Sequence, residues 1–120
     1  MNLNSEVWGP HGWFFLDSII LSMPEHLDKD KIKTYKTFFY LLQDLLPCEI
    51  CRLHYNHNLK LYPLTEDIIQ SREKMIKWII TLHNIVRTYN NQKLITLTDF
   101  INFYKKKYKV KKTSKKKIIK

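Results

Sequence analysis

Cys48 and Cys51 are the chain's two cysteines, and they stand three residues apart directly after Pro47 in the run LLPCEIC. On one helical turn that spacing brings two sulfurs within bonding reach, the geometry of a reversible disulfide. Pro47 fixes the start of such a helix. The unpaired N–H groups at its end favour a thiolate, which predicts a lowered thiol pKa and a redox-active pair. Other chemistries compete for the same residues. Cys48, Cys51, His54 and His57 read C-x2-C-x2-H-x2-H, four potential zinc ligands within ten residues. Positions three apart on one helix drift around its surface, however, and zinc modules usually draw the second ligand pair from a dozen or more residues away. A thioredoxin-like pair would need βαβ units, and two buried thiols without chemistry are the bland alternative.

Two further clusters carry unusual residue types. Trp8-Gly9-Pro10-His11-Gly12-Trp13 holds two of the three tryptophans and both glycines of the chain. Glycine lets a ligand approach the backbone and indole faces stack on flat rings, although an aromatic core corner explains the same residues. In WIITLHNIV, His83 and Asn84 share a helix with Trp78. A histidine beside an apolar stripe is usually a satisfied core residue, but polar groups entering a core need partners, which a planar polar cofactor would supply.

The elements that must position these residues are helical. With two glycines and four prolines in 120 residues, the chain has few of the turns an all-β fold requires. A first helix follows Pro10 and stops at Pro24. A second starts near Asp28 or Asp30 and ends at Pro47, with apolar Ile32, Tyr35, Phe38, Phe39, Leu42, Leu45 and Leu46 at helical period. Cys48 opens a third, to about Leu59. Thr65 with Glu66 and Asp67 caps a short stretch. The longest pattern, Met75, Trp78, Ile79, Leu82, Val86 and Tyr89, spans about 71 to 90. A last helix starts near Thr98-Asp99. The expected architecture is all-α, one domain over 1–104 followed by a lysine-rich tail over 105–120.

That tail explains the net charge of +10, because KKKYKVKKTSKKKIIK holds ten basic residues and no acid, which leaves the body formally neutral. The body is therefore no basic nucleic-acid platform, whereas the tail could touch nucleic acid, anionic lipid or an acidic partner. No stretch approaches the roughly 18 apolar residues of a membrane span. The apolar run Trp13 to Met23 contains Asp17 and lacks a basic stretch before it, which argues against a signal peptide.

Taken in order and spacing, WGPHGWFFL, LPCEICRLHY and W-x4-HN-x-V resemble the Erv/ALR family of FAD-linked sulfhydryl oxidases, over roughly residues 8 to 104. The likeness is greatest to the short single-domain forms encoded by large DNA viruses. The resemblance implies a four-helix bundle with a short fifth helix, a homodimer, and FAD beside the CxxC pair. By position, Cys48, as the exposed helix-end sulfur, would meet the substrate thiol and Cys51 would face the flavin, with electrons passing to O2 and giving hydrogen peroxide. Gly9, Gly12 and Trp13 would border the cofactor from the first helix, and His83, Asn84 and Val86 from the fourth. Tyr104 would lie against adenine and Lys93 near phosphate. Two positions depart from the family pattern. Asp17 stands where WxxLH has a cofactor-contacting histidine, and Arg87 stands where HNxVN has its second asparagine. The resemblance leaves ribose hydroxyls for Asp17 and pyrophosphate for Arg87. With no third cysteine for a shuttle disulfide, the substrate must reach Cys48 directly, as a small thiol-containing redox protein does. The expected location is the cytoplasm of an infected cell, in a viral factory or virion, ahead of a mitochondrial intermembrane space. The alternative function is a helical binding module that uses its lysine tail on nucleic acid.

Overall fold

Each helix in the computed structural model, which describes residues 1–109, starts at a side chain that accepts one of its free N–H groups. Asn4 accepts from Glu6 and opens α1 (Ser5–Leu21). Asp28 accepts from Lys31 and opens α2 (Lys29–Leu45), which Pro47 prevents from continuing. Cys48 opens α3 (Glu49–Leu61) through its sulfur. Thr65 opens the one-turn α4 (Glu66–Ile69) and Ser71 opens α5 (Arg72–Tyr89). Thr96 and Asp99 form a reciprocal capping box that opens α6 (Leu97–Lys107). Among the described residues there is no strand.

The first helix departs from expectation. It begins at Ser5, so Pro10 sits inside it rather than in its first turn. Asn4 supplies the cap that nucleates the earlier start. The N–H that proline lacks would have bonded the carbonyl of Glu6, and both residues face water, so the missing bond costs little.

Helix α1 packs on α5 and α2 on α3, while α4 bridges α2 to α5 and α6 lies on α5. The core between them contains Ile20, Met23, Phe39, Leu64, Ile69, Met75, Ile79 and Leu82. Phe39 meets Trp78 edge-on at 5.6 Å, and the indole N–H of Trp78 donates to the carbonyl of Tyr62 at 2.9 Å. Trp78 is thus a core residue with its one polar atom satisfied. Tyr55 pins α3 to α2 by donating to the carbonyl of Phe39 at 2.6 Å, and Asn56 donates to Gln43 at 2.6 Å.

Helix α6 docks on α1 through aromatics. Phe14 packs against Phe103, Tyr104 and Tyr108. The Ser18 hydroxyl already donates to the carbonyl of Phe14, so the Tyr108 hydroxyl donates to Ser18, at 2.6 Å. The helix therefore runs past residue 104 as far as Lys107. The greater part of the lysine-rich run, from 110 on, lies outside the described residues.

Candidate active site

Both thiols are free, and both stand in the first turn of α3. The Cys48 sulfur accepts the N–H of Cys51 at 3.3 Å. Two expectations about this pair are corrected. Cys48 is not the exposed sulfur: the residue is 9% exposed, less than Cys51. Nor is the Cys51 thiol acidified. Burial first, then the hydrogen bond and charge of Cys48, push its pKa up to about 11, against which Ser5 and Arg52 pull only in part. The groups that would counter that burial are already engaged. The Cys51 N–H points to Cys48, the Glu49 N–H donates to Asn2 Oδ1 at 2.9 Å, and the Arg52 guanidinium donates to the carbonyl of Leu46 at 2.6 Å.

From Cys51 a line of candidate residues runs down α1. Ser5, Gly9, Trp13 and Asp17 recur at helical steps of four, with Gly12 beside them, on one broad face with a length of about 18 Å. At its head the Ser5 hydroxyl faces the Cys51 sulfur and draws its pKa down. Gly9 is buried, yet a Cβ there would meet nothing within 4 Å, so the helix presents bare backbone to open space. At Gly12 a Cβ would make ordinary contact, 3.5 Å from the Trp8 ring. One turn on from Gly9, Trp13 stacks on His83 of α5 with centroids 4.0 Å apart and planes 8° from parallel. Burial and the nearby Arg87 bring the His83 pKa down to about 4, so the stacked imidazole is neutral at physiological pH.

The far end is closed by Asp17 and Tyr104. The Tyr104 hydroxyl donates to Asp17 Oδ2 at 2.6 Å, joining α6 to α1. Burial raises the Asp17 pKa to about 6, and this hydrogen bond lowers it only in part. Burial and the facing carboxylate raise the Tyr104 pKa in turn.

The remaining predicted residues shape the link between α5 and α6. Asn84 donates to the carbonyl of Ile95 at 2.9 Å and accepts its N–H at 2.8 Å. Arg87 donates from Nε to the carbonyl of Lys93. Both polar side chains are therefore spent on the loop that delivers α6. Val86 is half-buried on α5, and Lys93 is exposed.

Sequence reasoning missed Asn58. It lies seven residues after Cys51, two turns along the same face of α3, and is 3% exposed with Oδ1 lacking any hydrogen-bond partner. Its spacing from Cys51 was the available signal. Among the described residues no three of His, Cys, Asp and Glu gather as a metal would require, and His54 packs instead on Tyr89.

A bare helical backbone, a parallel ring stack and an unsatisfied buried amide suit a flat polar ligand beside the thiols, and FAD is such a group. The comparisons with known proteins agree. The Erv1 / Alr family model matches residues 10–115. The chain belongs to the Erv1/Alr family. A protein of Acanthamoeba polyphaga mimivirus named a probable FAD-linked sulfhydryl oxidase is 37% identical over 113 residues, covering 93% of this chain and 78% of that protein. An African swine fever virus protein named FAD-linked sulfhydryl oxidase is 28% identical over 98 residues, covering 81% of this chain and 79% of the other. Family membership disfavours the binding-module alternative. As an Erv1/Alr chain, it gives its two departures structural work: Asp17 anchors Tyr104, and Arg87 holds the loop at Lys93.

Proposed function

We propose that this chain is an FAD-dependent thiol oxidase that makes disulfides in a protein substrate. The observation that carries the reading is the placement of the thiol pair at one end of the α1 face that bears bare Gly9 and the Trp13–His83 stack. In the oxidised pair a substrate thiolate attacks the Cys48 sulfur, forming a mixed disulfide and releasing the Cys51 thiolate. A second substrate thiolate then attacks the mixed disulfide. The substrate leaves oxidised, and two electrons remain on Cys48 and Cys51. The chemistry FAD supplies when bound is the onward passage of those electrons to O2, with hydrogen peroxide as product.

The chain's own residues do the holding. Gly9 allows close approach, Gly12 seats the Trp8 ring, Trp13 and neutral His83 offer flat faces, and Val86 adds an apolar wall. Asn84 and Arg87 fix the loop carrying Lys93 toward phosphate. Asp17 sets the Tyr104 ring, and the amide of Asn58 supplies an acceptor beneath Cys51.

The substrate we assign is a small redox protein with paired thiols, since both cysteines of this chain are used in the site. For the same reason a homodimer would be held by helix faces alone, and exposed Leu41 and Leu45, one turn apart on α2, offer such a face. No helix among the described residues is long and apolar enough to cross a membrane. The viral relatives support work in infected-cell cytoplasm, with the lysine-rich end holding an acidic partner or nucleic acid at a viral factory.

The test is the visible spectrum of protein purified from cells, followed by oxygen consumption with dithiothreitol. Cys51→Ser should stay yellow and lose turnover. A colourless protein, or a Cys51→Ser variant that oxidises thiols normally, overturns the reading.

A further inference from the structure

Cys48 must be reached by a substrate thiol, yet it is 9% exposed while Glu49 and Ile50 beside it are exposed. The segment before α1 lies against this turn. The Leu3 N–H donates to the carbonyl of Pro47 at 2.9 Å, and Asn2 Oδ1 accepts the N–H of Glu49 at 2.9 Å. Two adjacent residues thus satisfy the backbone groups on either side of Cys48. The carbonyl of Leu3 accepts the indole N–H of Trp8 at 3.0 Å, which ties the segment back to α1. Asn2 and Leu3 are themselves exposed, and hydrogen bonds at such a surface contribute little each, so water or another chain can replace them.

We infer that the Pro47 carbonyl and the Glu49 N–H are docking groups for the backbone of an extended, cysteine-bearing peptide, and that Asn2 and Leu3 occupy them until it arrives. The inference rests on the thiol-oxidase reading and names how its substrate is recognised. An extended chain offers one donor and one acceptor along an edge, the same complement that Leu3 and Asn2 provide. Bound there, it would uncover Cys48 and set its own cysteine beside that sulfur, where the exchange described above follows. Ile50, 55% exposed, flanks the same turn and gives contact area to an apolar residue next to the substrate cysteine.

The experiment compares two substrates on the full flavin-bound chain. One is dithiothreitol, which needs no backbone docking. The other is a reduced peptide of about a dozen residues with a Cys-x-x-Cys pair. Asn2→Ala combined with Leu3→Pro removes both strap bonds outside the helix. The expected result is a roughly three- to tenfold rise in kcat/KM for the peptide over and above any rise for dithiothreitol, the equivalent of one or two weak hydrogen bonds released. In wild-type protein, N-methylation of successive peptide bonds should find one position that lowers peptide kcat/KM by about tenfold. A double variant whose peptide kcat/KM does not rise beyond any rise for dithiothreitol, or a methylation series without a sensitive position, overturns the inference. Absence of dithiothreitol turnover in wild-type protein would instead overturn the thiol-oxidase reading.

Discussion

Tyr104 reaches across 87 positions of sequence to donate a 2.6 Å hydrogen bond to Asp17, a carboxyl that is 4% exposed. The bond locks α6 to α1 at the end of the site opposite the thiols, and it makes that end sensitive to pH.

With a folded pKa of about 6 against 3.8, Asp17 holds its proton more tightly in the native chain than in the unfolded one. Its contribution to stability is full below pH 3.8, is lost as pH rises through about 6, and stays lost above. The shift corresponds to about 2–3 kcal/mol. Asp17→Asn has no such ionisation, so its stability relative to wild type should climb by up to that amount between pH 4 and pH 7. Urea unfolding at both pH values measures it. Tyr104→Phe should destabilise by about 1–3 kcal/mol, and more at pH 7.5 than at pH 5, because it strands a buried charge.

His83 carries the opposite sign. Its folded pKa of about 4 lies below the ordinary 6.5, so its contribution is present above 6.5 and is lost as pH falls through 4. The ring protons of His83 should keep their neutral NMR shifts down to about pH 5. A His83 titration near neutrality would contradict the buried stack on Trp13.

Gly9→Ala separates fold from ligand. Nothing within 4 Å of the added methyl opposes it, and alanine in a helix interior gains about 0.5–1 kcal/mol over glycine. The flavin-free variant should therefore melt higher than wild type. If the bare backbone is a cofactor cradle, the same variant should retain less FAD through gel filtration.

Asn84→Ala removes both bonds to Ile95. The expected loss is about 2 kcal/mol, with faster hydrogen exchange at the Ile95 amide. Asn84→Asp keeps the acceptor and should protect that amide, so exchange there distinguishes a held loop from a general loss of stability.

Much of this architecture was legible because helix caps and prolines are local signals. Asp28, Pro47 and Thr65 each marked a boundary that the structure keeps. Where a weaker signal lay upstream, the boundary moved: Asn4 starts α1 before Pro10, and Thr96, not Thr98, caps α6. The ordered cysteine, tryptophan and histidine clusters made the family legible too. What the sequence could not show were pairings between distant residues. No local pattern couples Asp17 to Tyr104, or Asn2 to the backbone of Glu49. The raised Cys51 pKa is also non-local, because burial among the packed elements is its largest cause. A helix start predicts free N–H groups, but not that Asn2 and Cys48 have already taken them.

Helix α3 is fastened well below its reactive turn, where Tyr55 grips Phe39 and Asn56 grips Gln43. Opening at Cys48 can therefore pivot on a fixed shaft. The catalyst can admit a client at the tip while Cys51, one turn further along the fastened helix, keeps its bearing, so each turnover begins from the same alignment without reassembling the core.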